Sequence, residues 1–245
     1  MKHRQRWSIA QKYERDWWEK RQEHIDFDFY REYAKELLEQ TRGFIEIGAA
    51  TAILEIGSGA GGIITFLPSD DRHAIDPLED FYTSVLGFQA QRDQQVIYQK
   101  ANAEYLPYEN QRFELIICDN VLDHCDDVGM VFKEMCRVLR DDGKVYLRLN
   151  IYSFWGKFIR LLVEAFKIDP GHPYTFTGRS LRRYFRDHGL MVVKTEAKGF
   201  WKTWLKELKS GKIKEIFKAV SFASPNKTMF LLARAKESRD NRTDK

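Results

Sequence analysis

The sequence contains few cysteines and no long apolar run, and each shortage excludes a class of protein. Only three cysteines occur among 245 residues, at Cys118, Cys125 and Cys136. Because their number is odd and they lack the paired spacing of zinc ligands, we predict neither a disulfide framework nor a metal site. No stretch approaches the ~18 consecutive apolar residues of a membrane-spanning helix. The basic amino terminus has no apolar segment behind it, so we predict no signal peptide and a cytoplasmic protein.

A strong excess of charge of one sign is missing as well. The 40 Lys and Arg residues and the 36 Asp and Glu residues are mostly interleaved and give a formal net charge of +4. This charge is too small and too dispersed to indicate a nucleic-acid partner. The hydrophobic content of 43% is that of a folded protein, and the length suits one α/β domain over residues 1–235. Residues 236–245 have the composition of a flexible tail.

Apolar periodicity predicts strands that alternate with helices. Short segments rich in Ile, Val and Leu have the composition of strands covered on both faces. The predicted strands lie at 52–56, 73–75, 96–99, 115–119, 144–149, 191–195 and 228–233. Helical patterns occupy about residues 9–41, 128–139 and 179–188. Such alternation predicts a doubly wound, mostly parallel sheet with helices on both faces, which binds ligands at the carboxyl ends of its strands.

A glycine-rich stretch follows the first predicted strand. Gly57, Gly59 and Gly62 have the G-x-G-x-x-G spacing, and Asp76 follows about twenty residues later. Glycine lets the chain turn with positive φ and lets a ligand approach the backbone closely. This spacing fits any nucleotide that contains a ribose, so other segments must distinguish the cofactors.

Polar residues end the third and fourth predicted strands, and the segments that carry them form an ordered series. ILEIGSGAGG, HAIDP, ANAEYLPY, FELIICDNVLDHCDD and VFKEMCRVLRDDGKVYLRLN resemble the motifs of class I S-adenosylmethionine-dependent methyltransferases. The resemblance covers residues 53–150 and rests on the order of the motifs. It implies a Rossmann-like seven-stranded sheet with an antiparallel last strand. It also implies S-adenosyl-L-methionine as cofactor and S-adenosyl-L-homocysteine as product.

The resemblance places the cofactor at the glycine loop and the strand ends. Glu55 would receive the ammonium of the methionine moiety directly or through water, or would only pair locally. Asp76 would accept both ribose hydroxyls, with Pro77 in the turn behind it. Asn102 stands where the family most often has an aspartate, and its amide oxygen would accept from the adenine amine beside Ala103. The full implied cofactor set is Glu55, Gly57, Ser58, Gly59, Asp76, Pro77, Asn102, Ala103, Glu104, Asp119, Asn120 and Val121.

Two histidines are candidates for the base of an oxygen methyltransferase. His124 follows the fourth strand, where the resemblance places the methyl group, although a histidine there can equally hydrogen-bond within its turn. His172 belongs to the segment after residue 150, together with Tyr174. We expect Tyr30, Trp155, His172 and Tyr174 to bind the acceptor. An aromatic cover of this kind suits a small molecule, a sugar or a lipid-linked headgroup.

The remaining segments surround this core. We expect residues 1–45 to form a helical cover, 46–150 the cofactor-binding core, 151–178 an acceptor-side insertion and 179–235 the last part of the sheet. The apolar stripe Phe154, Trp155, Phe158, Leu162 and Phe166 is expected to pack onto the body of the domain. Residues 199–222 form a basic amphipathic pattern that either packs in the fold, meets a dimer mate or lies on an anionic membrane as a peripheral contact.

Two other functions remain open at this stage. A nicotinamide-dependent oxidoreductase would use the same glycine loop, and it would differ in which cofactor it binds. A non-catalytic partner subunit would bind adenosylmethionine but would lack an acceptor pocket beside it. The sequence does not identify the methyl acceptor.

Overall fold

The central element of the protein is one twisted sheet. We describe a computed structural model at residues 2–23, 25–165, 174–198, 200–211, 216, 219–220 and 224–235. Its strands are β1 (Ile53–Ile56), β2 (Arg72–Asp76), β3 (Ile97–Lys100), β4 (Phe113–Asp119), β5 (Leu139–Tyr152), β6 (Phe176–Thr177), β7 (Leu190–Lys198) and β8 (Asn226–Arg234). His172 and the tail 236–245 lie outside the described residues.

Seven strands follow one another in the order β3-β2-β1-β4-β5-β8-β7, and the two-residue β6 pairs with the end of β5. The first five strands are parallel, whereas β8 runs antiparallel to both β5 and β7. The predicted seven-stranded, mostly parallel sheet with an antiparallel last strand is therefore confirmed. The antiparallel β8 also differs from the 3-2-1-4-5-6 order of the dinucleotide-binding fold.

Helices cover both faces of the sheet, as predicted. They are α1 (Lys2–Glu19), α2 (Asp28–Thr41), α3 (Glu79–Ser84), α4 (Leu86–Gln89), α5 (Val128–Val138), α6 (Phe154–Ala165), α7 (Gly178–Asp187) and α8 (Phe200–Leu208). The helical pattern of residues 9–41 is interrupted between α1 and α2, where Phe27 turns into the core and its N–H donates to Gln91 Oε1 at 2.8 Å. No described helix is long and apolar enough to cross a membrane.

Alternate residues of the strands fill two apolar layers, because successive side chains of a strand point to opposite faces. Leu54 and Ile56 pack on the face covered by α5 and α7. Ile53 and Ile117 pack on the face covered by α1, α2 and the short helices α3 and α4. The two layers hold the carboxyl ends of β1, β2 and β4 level with one another, and a cavity lies at that edge.

The apolar stripe of α6 does not pack onto the body of the domain at the positions that the structure describes. Phe154, Trp155 and Phe158 are 87%, 54% and 47% exposed. The expectation that most of the stripe packs inward was wrong at these three positions, whereas Phe176, near the end of the same insertion, is buried in the core. The structure describes neither Phe166 nor the side chain of Leu162.

Candidate cofactor site

A cavity of about 180 Å³ lies at the carboxyl ends of β1, β2 and β4. Most of the residues expected to hold the cofactor line it, although they come from four separate parts of the chain. These residues are Glu55, Gly57, Ser58, Gly59, Asp76, Pro77, Ala103, Glu104, Asp119, Asn120 and Val121. The parallel strands bring them together, because their carboxyl ends meet at one edge of the sheet.

The glycine loop leaves β1 through a turn that only glycine fits. Gly57 has φ +69°, and a Cβ atom there would lie 2.4 Å from Val121 Cγ2. Gly59 has φ +59°, and a Cβ atom there would lie 3.0 Å from the Trp18 ring. Both positions therefore need a residue without a side chain, and the loop passes directly under the cavity.

Glu55 lies beneath the loop and binds its backbone. The N–H of Ile63 donates to Glu55 Oε1 at 3.1 Å, and the N–H of Ile64 donates to Oε2 at 2.8 Å. These residues begin a single 3₁₀ turn, Ile63–Phe66, in place of a long helix. Burial raises the pKa of Glu55 to about 8, against the two N–H donors that lower it. The local pairing considered for Glu55 is present, and the residue also lines the cavity.

Asp76 connects the end of β2 to the glycine loop. Its Oδ2 accepts from Gly59 N–H at 3.0 Å, and its Oδ1 accepts from Leu78 N–H at 2.9 Å. The side chain is buried but lines the cavity, and burial raises its pKa to about 7. Each carboxylate oxygen has a further lone pair, so the two oxygens can accept ribose hydroxyls while they keep the loop in place.

Two other carboxylates of the cavity have structural partners. Glu104 Oε1 accepts from the N–H groups of Asp126 and Asp127 at 2.8 and 3.3 Å, which fixes the segment before α5. Asp119 pairs with Arg148, whose Nε donates to Oδ1 at 2.7 Å. Arg148 also contacts Glu36 on α2, at 3.0 Å. These pairs hold the far wall of the cavity rigid.

His124 lies at the end of the 3₁₀ turn Leu122–His124 and lines the cavity. Its side chain is 15% exposed, and its Nε2 lies 3.9 Å from Asp123 Oδ1. Asn120, just before the turn, has φ +59° and accepts from Asn150 Nδ2 at 3.3 Å. The turn therefore presents an imidazole to the cavity from the end of β4, the strand that the resemblance placed beside the methyl group.

Asn102, Trp155 and Tyr174 do not line the cavity, and Tyr30 lines it but has a structural contact. Asn102 is exposed and outside the cavity lining. Tyr30 does line the cavity, but its O–H donates to the carbonyl of Ser58 at 3.1 Å, so it supports the glycine loop. Trp155 is exposed on α6, and Tyr174 O–H donates to the Asp126 carbonyl at 2.6 Å. Neither lines the cavity, so the described residues gather a cofactor site more completely than an acceptor site.

The sequence analysis expected a helical cover at residues 1–45 but assigned no cofactor-binding residue to α1. Trp7, Gln11, Glu14 and Trp18 recur at steps of four, three and four residues and line the cavity from one helix face. Glu14 Oε1 accepts from Trp18 Nε1 at 2.9 Å. Gln11 Oε1 is buried and has no hydrogen-bond partner within the described part of the chain. The helical spacing was the available signal, but only the fold shows which face meets the cavity.

The charge of the lining selects the kind of ligand. Five carboxylates, Glu14, Glu55, Asp76, Glu104 and Asp119, line the cavity, and no Lys or Arg occurs among the described lining residues. A pyrophosphate needs free N–H groups at a helix amino terminus, yet the loop N–H groups of the 3₁₀ turn already bind Glu55. The cavity therefore disfavours a dinucleotide and favours a ligand that carries positive charge and no phosphate.

Comparisons with known proteins agree with this geometry. Residues 54–147 match the family model described as methyltransferase domain. An uncharacterized methyltransferase of Bacillus subtilis, YcgJ, is 30% identical over 105 residues, which are 42% of each chain. A demethylmenaquinone methyltransferase of Roseiflexus castenholzii is 24% identical over 157 residues, 59% of this chain and 66% of that protein. The matched region thus spans less than half of the first relative and about two thirds of the second.

Solved structures show the same fold. The YcgJ crystal structure aligns with a TM-score of 0.60 and 17% identity, over 84% of this chain and 100% of that chain. The geranyl diphosphate C-methyltransferase of Streptomyces coelicolor, crystallised with S-adenosyl-L-homocysteine, aligns with a TM-score of 0.64 and 14% identity over 83% and 78%. At these identities the similarity is one of architecture, and it matches the strand order described above.

Proposed function

We propose that this chain, a member of the class I methyltransferase family by its domain at residues 54–147 and by its fold, transfers a methyl group from S-adenosylmethionine to an acceptor. The observation that carries the proposal is the carboxylate lining of the cavity, with no Lys or Arg among its described residues. S-adenosylmethionine has a sulfonium, an ammonium and one carboxylate, so it is a cation without phosphate. Its charge complements this lining in a buried site, where Coulomb attraction is strong.

The residues present fit this cofactor. Asp76 would accept the ribose hydroxyls, since its two oxygens already lie at the cavity wall. A bound cation would favour the ionised form of Glu55, which would then stabilise the positive methionine end, while its hydrogen bonds keep the loop in place. Glu14 and Gln11 would contribute acceptor oxygens from α1. We propose that residues 1–45 act as the cover of this site and that residues 1–235 work as one domain.

The proposed reaction is oxygen methylation with His124 as base. When bound, S-adenosylmethionine supplies a methyl carbon whose bond to sulfur breaks as the acceptor oxygen bonds to it, and the electron pair stays on sulfur. His124 would take the proton of the acceptor hydroxyl, since its side chain lines the cavity at the end of β4. His172, which lies outside the described residues, is retained as the second candidate base. Burial of the site excludes water, which would otherwise compete as an acceptor.

The acceptor class that we propose is a small molecule, a sugar or a lipid-linked headgroup. The insertion after β5 is proposed to orient it. We further propose that the protein works in the cytoplasm and that residues 199–222 bring it to a membrane surface. The relatives named above include enzymes of quinone and isoprenoid substrates by name, which supports an apolar or lipid-linked acceptor.

A titration with three ligands tests the proposal. We expect calorimetry to show binding of S-adenosylmethionine, weaker binding of the uncharged S-adenosylhomocysteine at low salt, and no binding of a nicotinamide dinucleotide. Added salt should reduce the difference in affinity between S-adenosylmethionine and S-adenosylhomocysteine, because that difference is electrostatic. Binding of the dinucleotide alone would establish the oxidoreductase alternative. Cofactor binding without transfer of labelled methyl to any acceptor pool would favour the non-catalytic partner.

A further inference from the structure

Two helices leave the sheet at the edge that contains the cavity. The helix α6 begins two residues after β5, and α8 begins two residues after β7. Strand β8 lies between them, and its first residues pair with both neighbours, Asn226 with Ile151 and Lys227 with Lys198. The ends of β5 and β7 are therefore level and only two strand spacings, roughly 10 Å, apart. β5 also pairs with β4, whose last residue Asp119 lines the cavity.

Both helices expose large apolar side chains. On α8, Trp201, Leu205 and Leu208 are 66%, 45% and 37% exposed and lie at four- and three-residue steps, so they share one face. The adjoining face of α8 points inward, since Trp204 Nε1 donates to the Ala219 carbonyl at 2.8 Å and Ser224 Oγ donates to Glu207 Oε2. The exposed apolar set of the two helices is Phe154, Trp155, Phe158, Trp201, Leu205 and Leu208.

The sequence of these two segments is rich in lysine. Residues 199–222 contain six lysines and two glutamates, and one of the glutamates, Glu207, is buried against Ser224. Lys157 follows the exposed aromatic pair at the start of α6. Two copies of such a surface would repel each other, whereas an anionic surface would attract it. Apolar side chains that include tryptophan, beside lysines on an amphipathic helix, are typical of helices that lie in the interface of an anionic bilayer.

We infer that α6 and α8 together form a membrane-contact face, defined by Phe154, Trp155, Phe158, Trp201, Leu205 and Leu208, which rests on an anionic lipid bilayer. The face extends along the sheet edge from β5 to β7, next to the strand end that lines the cavity. An enzyme held in this way presents its cavity edge to the headgroup region. This consequence, which suits a lipid-linked acceptor, rests on the proposed methyl transfer, whereas binding to the bilayer does not.

Sedimentation with vesicles tests the face. We expect the protein to sediment with phosphatidylcholine vesicles that contain phosphatidylglycerol at low salt, and to bind phosphatidylcholine alone or high-salt samples at least about tenfold less. The double substitution Trp201→Ser and Leu205→Ser on α8 should lower lipid partition by about tenfold or more. The single substitution Phe154→Ser on α6 should have an effect of the same size. Leu86→Ser is the matched control, because Leu86 is 85% exposed on α4, at the other side of the sheet.

Every other outcome contradicts the face. Absence of vesicle binding at low salt overturns it, and so does equal loss in the Leu86→Ser control. Loss with the α8 variants but not with Phe154→Ser would overturn the participation of α6. A concentration-dependent dimer that Trp201→Ser abolishes, without vesicle binding, would make the surface a contact between two copies. Titration of S-adenosylmethionine into the same samples reports the proposed function separately, since loss of lipid binding should leave cofactor affinity unchanged.

Discussion

Asp76 supports the glycine loop and faces the cavity, so its replacement should affect cofactor binding more than folding. We expect Asp76→Ala to weaken S-adenosylmethionine binding by about 1.5–3 kcal/mol, the range for hydrogen bonds to a charged group. Because burial raises the pKa of Asp76 to about 7, the wild-type affinity for this cation should rise as pH increases through that value and the carboxylate ionises.

Calorimetry between about pH 6 and 8 checks both statements. The Asp76→Ala variant should lose most of the rise in affinity with pH. Asp93→Ala is a suitable control, because Asp93 also accepts a backbone N–H, from Gln95 at 3.0 Å, but does not line the cavity. Unchanged affinity in Asp76→Ala would remove this residue from the site.

His124 is the residue whose replacement should affect turnover alone. If it takes the acceptor proton, His124→Gln should lower turnover by ~10²–10⁴, the usual contribution of general base catalysis, with little change in cofactor affinity. His188→Gln is the control, since His188 lies at the end of α7, where its Nδ1 contacts the Tyr184 carbonyl at 2.9 Å.

Near-normal turnover in His124→Gln would show that alignment of the acceptor alone accounts for the rate, or that His172 is the base. A matching His172→Gln measurement decides between these two explanations. The sequence supplied both candidates from residue type and position. It could not rank them by distance, because the path of the chain after β5 depends on packing that one sequence does not display.

At the scale of elements, α1 is the part of the structure that the cofactor should change most. Four of its residues line a cavity of about 180 Å³, whereas ligand pockets usually measure about 300–1,000 Å³. We therefore expect α1 to move outward when a nucleoside enters and to close again over it. We expect amide hydrogen exchange in residues 7–18 to slow when S-adenosylmethionine binds, because closure protects the helix.

Two substitutions on α1 test whether this helix also recognises the charge of the ligand. Glu14→Gln should weaken binding of S-adenosylmethionine more than binding of the uncharged product, because it removes a carboxylate from the cavity wall. Glu19→Gln on the same helix is the control, since Glu19 pairs with Arg15 at the surface. Unchanged exchange in α1 on cofactor binding would show that this helix is not a moving cover.

The elements that could be predicted are those with a local signal. All seven predicted strands overlap strands of the sheet, because runs of Ile, Val and Leu bounded by polar turns have few alternative structures. The break between α1 and α2 had no glycine or proline to mark it and is caused by burial of Phe27. β5 begins at Leu139, directly after α5, because its pairing with Phe113 continues the strand past the predicted turn.

The site was predictable where it follows strand ends and less so where it depends on long-range contacts. Gly57, Asp76 and His124 could be placed from motif order, since parallel strands bring their ends together. The two hydrogen bonds of Glu55 and the approach of Glu14 involve chain segments whose relative position no local pattern encodes. Asn102 followed the motif but lies outside the cavity lining.

At the scale of the whole molecule, charge is segregated. The chain carries a net charge of +4, yet the cavity is lined by carboxylates and the segment 199–222 is rich in lysine. A ligand cation and an anionic surface are thus attracted to different places on one molecule. Buried carboxylates near one another are difficult to ionise. Their ionisation should therefore lower the free energy of unfolding.

The free energy of unfolding should accordingly fall as pH rises from about 4.5 to about 8. Glu55 and Asp76 have ordinary pKa values of 4.5 and 3.8, and burial raises them to about 8 and about 7 in the folded protein. Within that window the folded state binds more protons than the unfolded state, so each added pH unit destabilises it by up to about 1.4 kcal/mol per group. The pKa of His73 is lowered, chiefly by burial, and this shift makes stability rise with pH. Variants are therefore needed to separate the contribution of the carboxyl groups from that of His73.

Denaturant unfolding of Glu55→Gln across this window isolates the larger contribution. The variant loses one hydrogen-bond acceptor for the loop and should be less stable at low pH, but its free energy of unfolding should depend less steeply on pH than that of the wild type. Glu134→Gln is the control, because Arg137 holds the pKa of Glu134 below its ordinary value, so ionisation of Glu134 does not contribute to a fall in stability with rising pH. An unchanged slope in Glu55→Gln would mean that this carboxyl is already ionised in the fold at acidic pH. Glu55 would then attract a cation throughout this pH range, and the rise in cofactor affinity with pH would come from Asp76 alone.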